Sequence, residues 1–210
     1  FFDRGKPFFR GQRGESILQT RDVLLLLTDE WADWEAAYAI AEINATPQYR
    51  VVTIAEGVAP KASIGGVKAV IDYSLEEYGD PSKAAMLILP GGMDWQRREH
   101  PEIRAFVERA VRAKLPIAAI CGATVFLARS GFLDEVAHCG DEKSYFDRLV
   151  GYGGMAHFTE AQLVGDGIFI TANETAALPF ARAIFRRLAI DSPEEIDGWY
   201  EKFAKGMFPA

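Results

Sequence analysis

Leu115-Pro116-Ile117-Ala118-Ala119-Ile120-Cys121-Gly122-Ala123-Thr124 is a short apolar run that breaks at Cys121-Gly122 into helix-forming sequence. It reads as a buried strand feeding a helix through one sharp turn. Such a turn lifts a side chain off the sheet edge and aims it at solvent, with the following backbone N–H groups pointing the same way. A cysteine there also feels the positive end of the helix dipole, which favours thiolate. Taken alone, the segment fits a nucleophile and a buried structural cysteine equally well, since a free thiol is most often inert packing.

Outward from this turn, apolar runs of strand length alternate with helical patterns. Val23 to Thr28 is a first strand, and Trp34 to Asn44 a helix with apolar or small residues at 34, 37, 38, 40 and 41 forming one face. Tyr49 to Ala55 is a second strand, followed by a short extended stretch, Val67 to Asp72, after the Gly65-Gly66 turn. Ala85 to Leu89 is another buried strand and ends at Pro90-Gly91-Gly92; Pro101 to Lys114 is a helix with proline in its first turn. Ile117 to Ile120 and Ala123 to Ser130 are the strand and helix around the opening turn. Glu135 to Ala137 reads as a short strand. Glu160 to Val164 and Ile168 to Thr171 read as a hairpin about Gly165-Asp166-Gly167, with helices at Ala176 to Leu188 and Pro193 to Lys205 beyond it.

This alternation predicts a doubly wound, flavodoxin-like α/β fold, a parallel sheet with helices on both faces. Sites in such sheets form at the carboxyl ends of strands. Three loops then converge: one carrying Glu35, one carrying Gly91 and Gly92, and the elbow at Cys121.

The chain's 210 residues, 49% hydrophobic and 25% charged, suffice for one sizeable core. Residues 21–190 are expected to form that domain, with a helical appendage at 191–210 and an N-terminal extension at 1–20. Those first residues combine four Phe with three Arg and one Lys, show neither periodicity, and contain no apolar core of signal-peptide length. A net charge of −7, with no run of Lys or Arg, argues against nucleic acid and anionic membranes as partners and for a small-molecule or peptide substrate. Two cysteines, Cys121 and Cys139, outside any CxxC pair suit a reducing, cytoplasmic compartment. No apolar run approaches the roughly 18 residues that a bilayer span requires.

Several ordered motifs resemble the DJ-one/PfpI superfamily, within the class I glutamine amidotransferase-like fold. They are LLLLTDEWADWE at 24–35, Ser63-Ile64-Gly65-Gly66 with Asp72 behind it, LILPGG at 87–92, AAICGAT at 118–124, GFLD at 131–134 and DGIFITANETA at 166–176. The match looks closest to the bacterial intracellular protease/amidase branch. The resemblance implies that Cys121 is the elbow nucleophile and that Glu35 leans against its sulfur. A protonated carboxyl there would donate to thiolate, and the two acids would titrate as one unit; the bland reading of Glu35 is a first-turn carboxylate favoured by the helix dipole, with Asp33 its nearest competitor. Backbone N–H groups of Gly92 and Gly122, with Gly91 as a further candidate, form an oxyanion hole, or the glycines simply serve a tight turn. The resemblance also implies a homodimer.

Three departures narrow the chemistry. Gly122 stands where protease-like relatives place histidine, so their Cys-His dyad is absent. His157-Phe158-Thr159-Glu160 lacks the His-x-Glu spacing of true amidotransferases. His138 and Cys139 fall where relatives carry a residue beside the nucleophile: His138 as a site histidine or a structural one, Cys139 as a resolving thiol or a pocket wall. Three scattered histidines without an HxxxH or Cys/His cluster predict no metal, and no cofactor is expected. Trp31, Trp34 and Trp95 are expected to crowd the site rim, and Asn173-Glu174-Thr175 to form a pocket edge or a helix cap. The expected function is a cysteine-dependent hydrolase or amidase, or a glyoxalase-like enzyme acting on reactive carbonyls. The alternative is a redox sensor or stress-protective binding protein whose cysteine is oxidised without turnover.

Overall fold

In the computed structural model, which describes residues 20–207, the opening run forms the strand Ile117–Ile120, an interior strand of a seven-stranded sheet. In chain order the elements are β1 (Arg21–Leu26), α1 (Asp33–Ala45), β2 (Tyr49–Ala55), β3 (Lys61–Ala62), β4 (Lys68–Ala69), β5 (Tyr73–Ser74), α2 (Leu75–Tyr78), β6 (Met86–Leu89), α3 (Asp94–Arg97), α4 (Pro101–Arg112), β7 (Ile117–Ile120), α5 (Gly122–Arg129), α6 (Lys143–Phe146), β8 (Leu163–Asp166), β9 (Phe169–Ala172), α7 (Ala177–Leu188) and α8 (Pro193–Lys205). The sheet order is β5-β2-β1-β6-β7-β9-β8, parallel throughout except for β8, which pairs antiparallel with β9. The five central strands therefore follow the flavodoxin-like order.

Leu24, Leu26, Leu87, Leu89, Ile117 and Ala119 enter one apolar layer, under α4 and α5, while Val23, Leu25, Ile88, Ala118 and Ile120 enter the other, under α1 and α7. Burial on both faces explains why these strands read as continuous apolar runs rather than alternating ones. The terminal helix α8 joins the second layer through Ile196 and Trp199, each 1% exposed. No helix among the described residues is long and apolar enough to cross a membrane. The extension expected at 1–20 lies, apart from Thr20, outside the described residues.

Besides shifted element ends, as at β8, which spans Leu163–Asp166 rather than Glu160 to Val164, the structure differs from the sequence reading in four notable places. β1 spans Arg21–Leu26 rather than Val23 to Thr28, because Arg21 and Asp22 pair with Tyr49 and Arg50 of β2 and extend the ladder with polar residues. Helix α1 buries Glu35, Ala36, Ala39 and Ile43; Trp34, Ala37, Tyr38 and Ala41, expected inside, are exposed. Small residues let α1 lie close to α7, and Tyr38 turns outward to meet Trp199 and Phe203 of α8 edge-on at 6.1 and 5.3 Å. The stretch Val67 to Asp72 is not one strand: Lys68–Ala69 closes a hairpin onto Lys61–Ala62, with Ser63 N–H donating to Val67 O at 2.8 Å. Finally, Glu135 to Ala137 forms no strand. Its ladder groups go to side chains, Val136 O to His138 Nδ1 at 2.8 Å and Ala137 N–H to Asp166 Oδ2 at 2.9 Å, which competes with strand pairing.

Candidate active site

The order reversal between β1 and β6 opens a crevice at the carboxyl ends of the parallel strands, and the loops after β1, β6, β7 and β9 meet there. β7 ends at Ile120, and Cys121 takes φ 55°, ψ −131° before α5 begins at Gly122. A non-glycine residue at positive φ is strained, and here surrounding bonds hold it. Cys121 N–H donates to Ala172 O at 2.9 Å, and its carbonyl accepts from Thr124 N–H at 2.9 Å and Thr124 Oγ1 at 2.6 Å. The half-buried side chain lines a cavity of about 480 Å³ with Trp34, Glu35, Gly92, Asp141 and Glu174.

Glu35 comes from the first turn of α1 and is fully buried. Its Oε2 accepts the Gly91 N–H at 2.6 Å, while Oε1 has no hydrogen-bond partner. Burial pushes its carboxyl up to about 7, partly opposed by the Gly91 N–H and the Cys121 thiol. Asp33, the competing acid, is turned away and accepts from Ser63 Oγ at 2.6 Å.

Glycine at 91 is a consequence of this approach. A Cβ there would lie 2.6 Å from Cys121 Cβ, 2.8 Å from Glu35 Oε2 and 2.9 Å from Cys121 Sγ, all below contact distance. The Gly91 N–H is already committed to Glu35, which corrects its candidacy as an oxyanion donor; it positions the acid instead. Gly92 bridges to Trp31 through Ala32 N–H to Gly91 O and Met93 N–H to Glu30 O, so the bridge leaves the Gly92 N–H itself unused. At Gly122 a Cβ would come 2.8 Å from Gly92 O. Any side chain there, histidine included, would force this loop away.

The charge environment of the thiol reverses the expectation of an easily formed thiolate. Burial, then the carboxylates of Glu35 and Asp141, push the Cys121 thiol well above its ordinary value, and the Gly122 N–H opposes them only in part. Asp141 was not singled out from the sequence. It arrives from the segment between α5 and α6, is itself raised by burial, and is pinned by the Glu174 N–H donating to Oδ1 at 2.9 Å. In sequence it opens a polar tract, Asp141-Glu142-Lys143, that looks like solvated loop. The available signal is Gly140 before it, where Phe146 and Thr124 occupy the space of a Cβ.

His138 is not at this cavity. Its Nδ1 bonds Val136 O at 2.8 Å and its Nε2 pairs with Tyr152 Oη at 2.5 Å, inside a cluster with Phe146 and Phe158, and burial lowers its pKa. Cys139 is fully buried too, its thiol donating to Thr171 O at 3.1 Å and its N–H to Thr171 Oγ1 at 3.0 Å. Neither lines the cavity, which corrects both as site candidates. His100 and His157 also lie off it. Of the three tryptophans, only Trp34 reaches the rim; Trp31 is buried, and Trp95 packs beneath the elbow with Nε1–H donating to Pro90 O at 2.9 Å. Asn173, Glu174 and Thr175 do line the pocket edge.

Although no ligand pattern stands out in the sequence, the fold brings Sγ of Cys121 and one oxygen each of Asp141 and Glu174 within 4.8 Å of one another, close enough to share a metal ion. Three loops, far apart in the chain, supply them.

A doubly wound parallel sheet with a cysteine at a strained strand-to-helix elbow beside its switch-point crevice defines a class of α/β architecture. The chain belongs to the DJ-1/PfpI family, whose model matches residues 21–187. It is 33% identical over 177 residues to the Uncharacterized protease YdeA of Bacillus subtilis (strain 168), covering 84% of this chain and 88% of that protein. It is 32% identical over 192 residues to the Uncharacterized protease YoaZ of the same organism, covering 88% and 91%. Among solved structures, a thiJ/pfpI family protein from Bacillus anthracis superposes with a TM-score of 0.84 at 28% identity, covering 91% of this chain and 94% of that one.

Proposed function

We propose that this chain is a cysteine-dependent enzyme acting at a carbonyl group, either as a hydrolase or amidase or on a reactive carbonyl such as an α-oxoaldehyde. The observation that carries this reading is the pairing of the Cys121 thiol, on a strained elbow at the cavity wall, with a buried carboxyl at about 7. An acid of that strength is part ionised near neutral pH and suited to proton transfer.

Because the thiol holds its proton, attack requires a base at the moment of bond formation. As Sγ bonds to the carbonyl carbon, the thiol proton passes to Glu35 and the carbonyl π pair moves to oxygen. The Gly92 N–H and the N-terminus of α5 stabilise that oxyanion. With an amide, Glu35 returns the proton to the leaving nitrogen as the C–N bond breaks, leaving a thioester. Water, losing a proton to Glu35, then attacks the thioester carbonyl, and as the C–S bond breaks Glu35 returns that proton to the departing sulfur, releasing the acid and restoring the thiol. With an α-oxoaldehyde the first adduct is a hemithioacetal.

A panel of peptides, simple amides and α-oxoaldehydes tests this. Turnover abolished by Cys121→Ala and reduced about 10²- to 10⁴-fold by Glu35→Gln is expected; wild-type protein that turns over neither class overturns the enzyme reading.

A further inference from the structure

We infer that the Cys121 cavity selects substrates carrying a protonated amine or guanidinium beside the reacting carbonyl; this rests on the enzyme reading above and names its substrate class. Four carboxyl side chains, Glu35, Asp141, Glu142 and Glu174, line the cavity, and no Lys, Arg or His does. None of the four is in an ion pair among the described residues. Surface acids elsewhere are commonly paired, as Asp22 is with Arg50 and Asp197 with Arg186. The second observation is independent of this clustering: Glu35 is fully buried, lines the cavity, and leaves Oε1 without a partner.

Like charges held this close repel, and a cation placed among them relieves that repulsion. A walled cleft lined with one sign of charge also concentrates counter-ions of the opposite sign. Trp34 and Tyr145, 47% and 46% exposed at the rim, add aromatic faces that attract an alkylammonium or guanidinium. The same charges hold the thiol protonated in the free site.

The test reads the cavity's charge preference through one covalent event and needs no turnover. Cys121 is modified with trimethylammonioethyl, methyl and sulfonatoethyl methanethiosulfonates, cationic, neutral and anionic, with rates at the Cys121 peptide followed by mass spectrometry and normalised to β-mercaptoethanol. The expected result is a cationic-to-anionic rate ratio at least about tenfold above that of the free thiol, shrinking with ionic strength. Asp141→Asn, which retains an acceptor for the Glu174 N–H, and separately Glu174→Gln should each reduce the ratio several-fold. A ratio equal to that of the free thiol, or one unmoved by both variants, overturns the inference. So does stoichiometric retention of Zn²⁺ that blocks all three reagents and is lost in Asp141→Asn, since the carboxylates would then serve a metal. Turnover with a flat ratio sinks the cation preference alone, whereas a steep ratio without turnover sinks the enzyme reading alone.

Discussion

At the scale of single residues, Glu35 and Cys121 form one titrating unit whose properties come from burial more than from either side chain alone. Because the Glu35 charge helps push the thiol up, Glu35→Gln should shift the pH midpoint of Cys121 alkylation by iodoacetamide downward by about one pH unit. The same change should depress turnover. These opposite movements separate a proton-transfer role from a merely structural one, and a midpoint that stays or rises would mean that a protonated Glu35 stabilises the thiolate instead. Gly91 tests the geometry in another way. Gly91→Ala places a methyl group 2.6 Å from Cys121 Cβ, in a loop anchored on both sides, and should cost about 1–3 kcal/mol in urea melts while disabling the elbow.

At the scale of elements, α8 is held by an aromatic seam rather than by its sequence position. Trp199 is 1% exposed, stacks edge-on against Phe185 of α7 at 4.8 Å and donates from Nε1 to Glu42 Oε1 of α1 at 3.1 Å. Trp199→Ala should therefore cost about 3–5 kcal/mol, measured by chemical denaturation. Phe203, 42% exposed on the same helix, should cost clearly less on the same substitution. Equal losses at both positions would show that the seam does not anchor α8 as described. Helix α1 also shows why periodicity misled. Both of its faces carry apolar residues, Ala36, Ala39 and Ile43 toward the sheet and Trp34, Tyr38 and Ala41 away from it, and the inward face includes a carboxylate. A pattern that assigns acids outward selects the wrong face.

For the whole molecule, the buried acid couples the site to folding. Glu35 is raised from 4.5 to about 7 on folding, so between those values the native state binds more protons than the unfolded chain. Its stabilising contribution is fully present below about pH 4.5 and is lost as pH rises through 7, which amounts to about 3 kcal/mol if the coupling to Cys121 is set aside. Asp141 acts in the same direction, whereas His138, lowered on folding, gains stability as pH rises through its ordinary range. Wild-type protein should accordingly lose more stability between pH 5 and pH 8 than Glu35→Gln does, as read from urea midpoints at each pH. Parallel pH profiles for the two proteins would show that Glu35 does not carry this dependence.

The strands Tyr49–Ala55 and Ile117–Ile120 and the helix Pro193–Lys205 are legible to the residue in the sequence: Ile117–Ile120 because a strand buried on both faces must be apolar throughout, Tyr49–Ala55 because its β-branched run is bounded by polar and glycine-bearing loops, and the helix because proline marks its start. The elbow at Cys121 and the glycine turn at 91–92 are legible as well, each being local punctuation at the end of a strand, whereas the acid at Glu35, in the first turn of α1, was pointed to only by the family resemblance. What only the tertiary structure decided is which groups face the sulfur. Cys139 and His138 stand next to Gly140 and Asp141 in the chain, yet Cys139 turns to Thr171, His138 to Tyr152, and only Asp141 reaches the thiol. The reason is packing: Gly140 brings the backbone against Phe146 and Thr124, and that close approach decides which neighbour faces Cys121. The ionisation of Cys121 was decided there too, because a dipole argument sees one helix end, while burial and carboxylates from distant loops act on the assembled site.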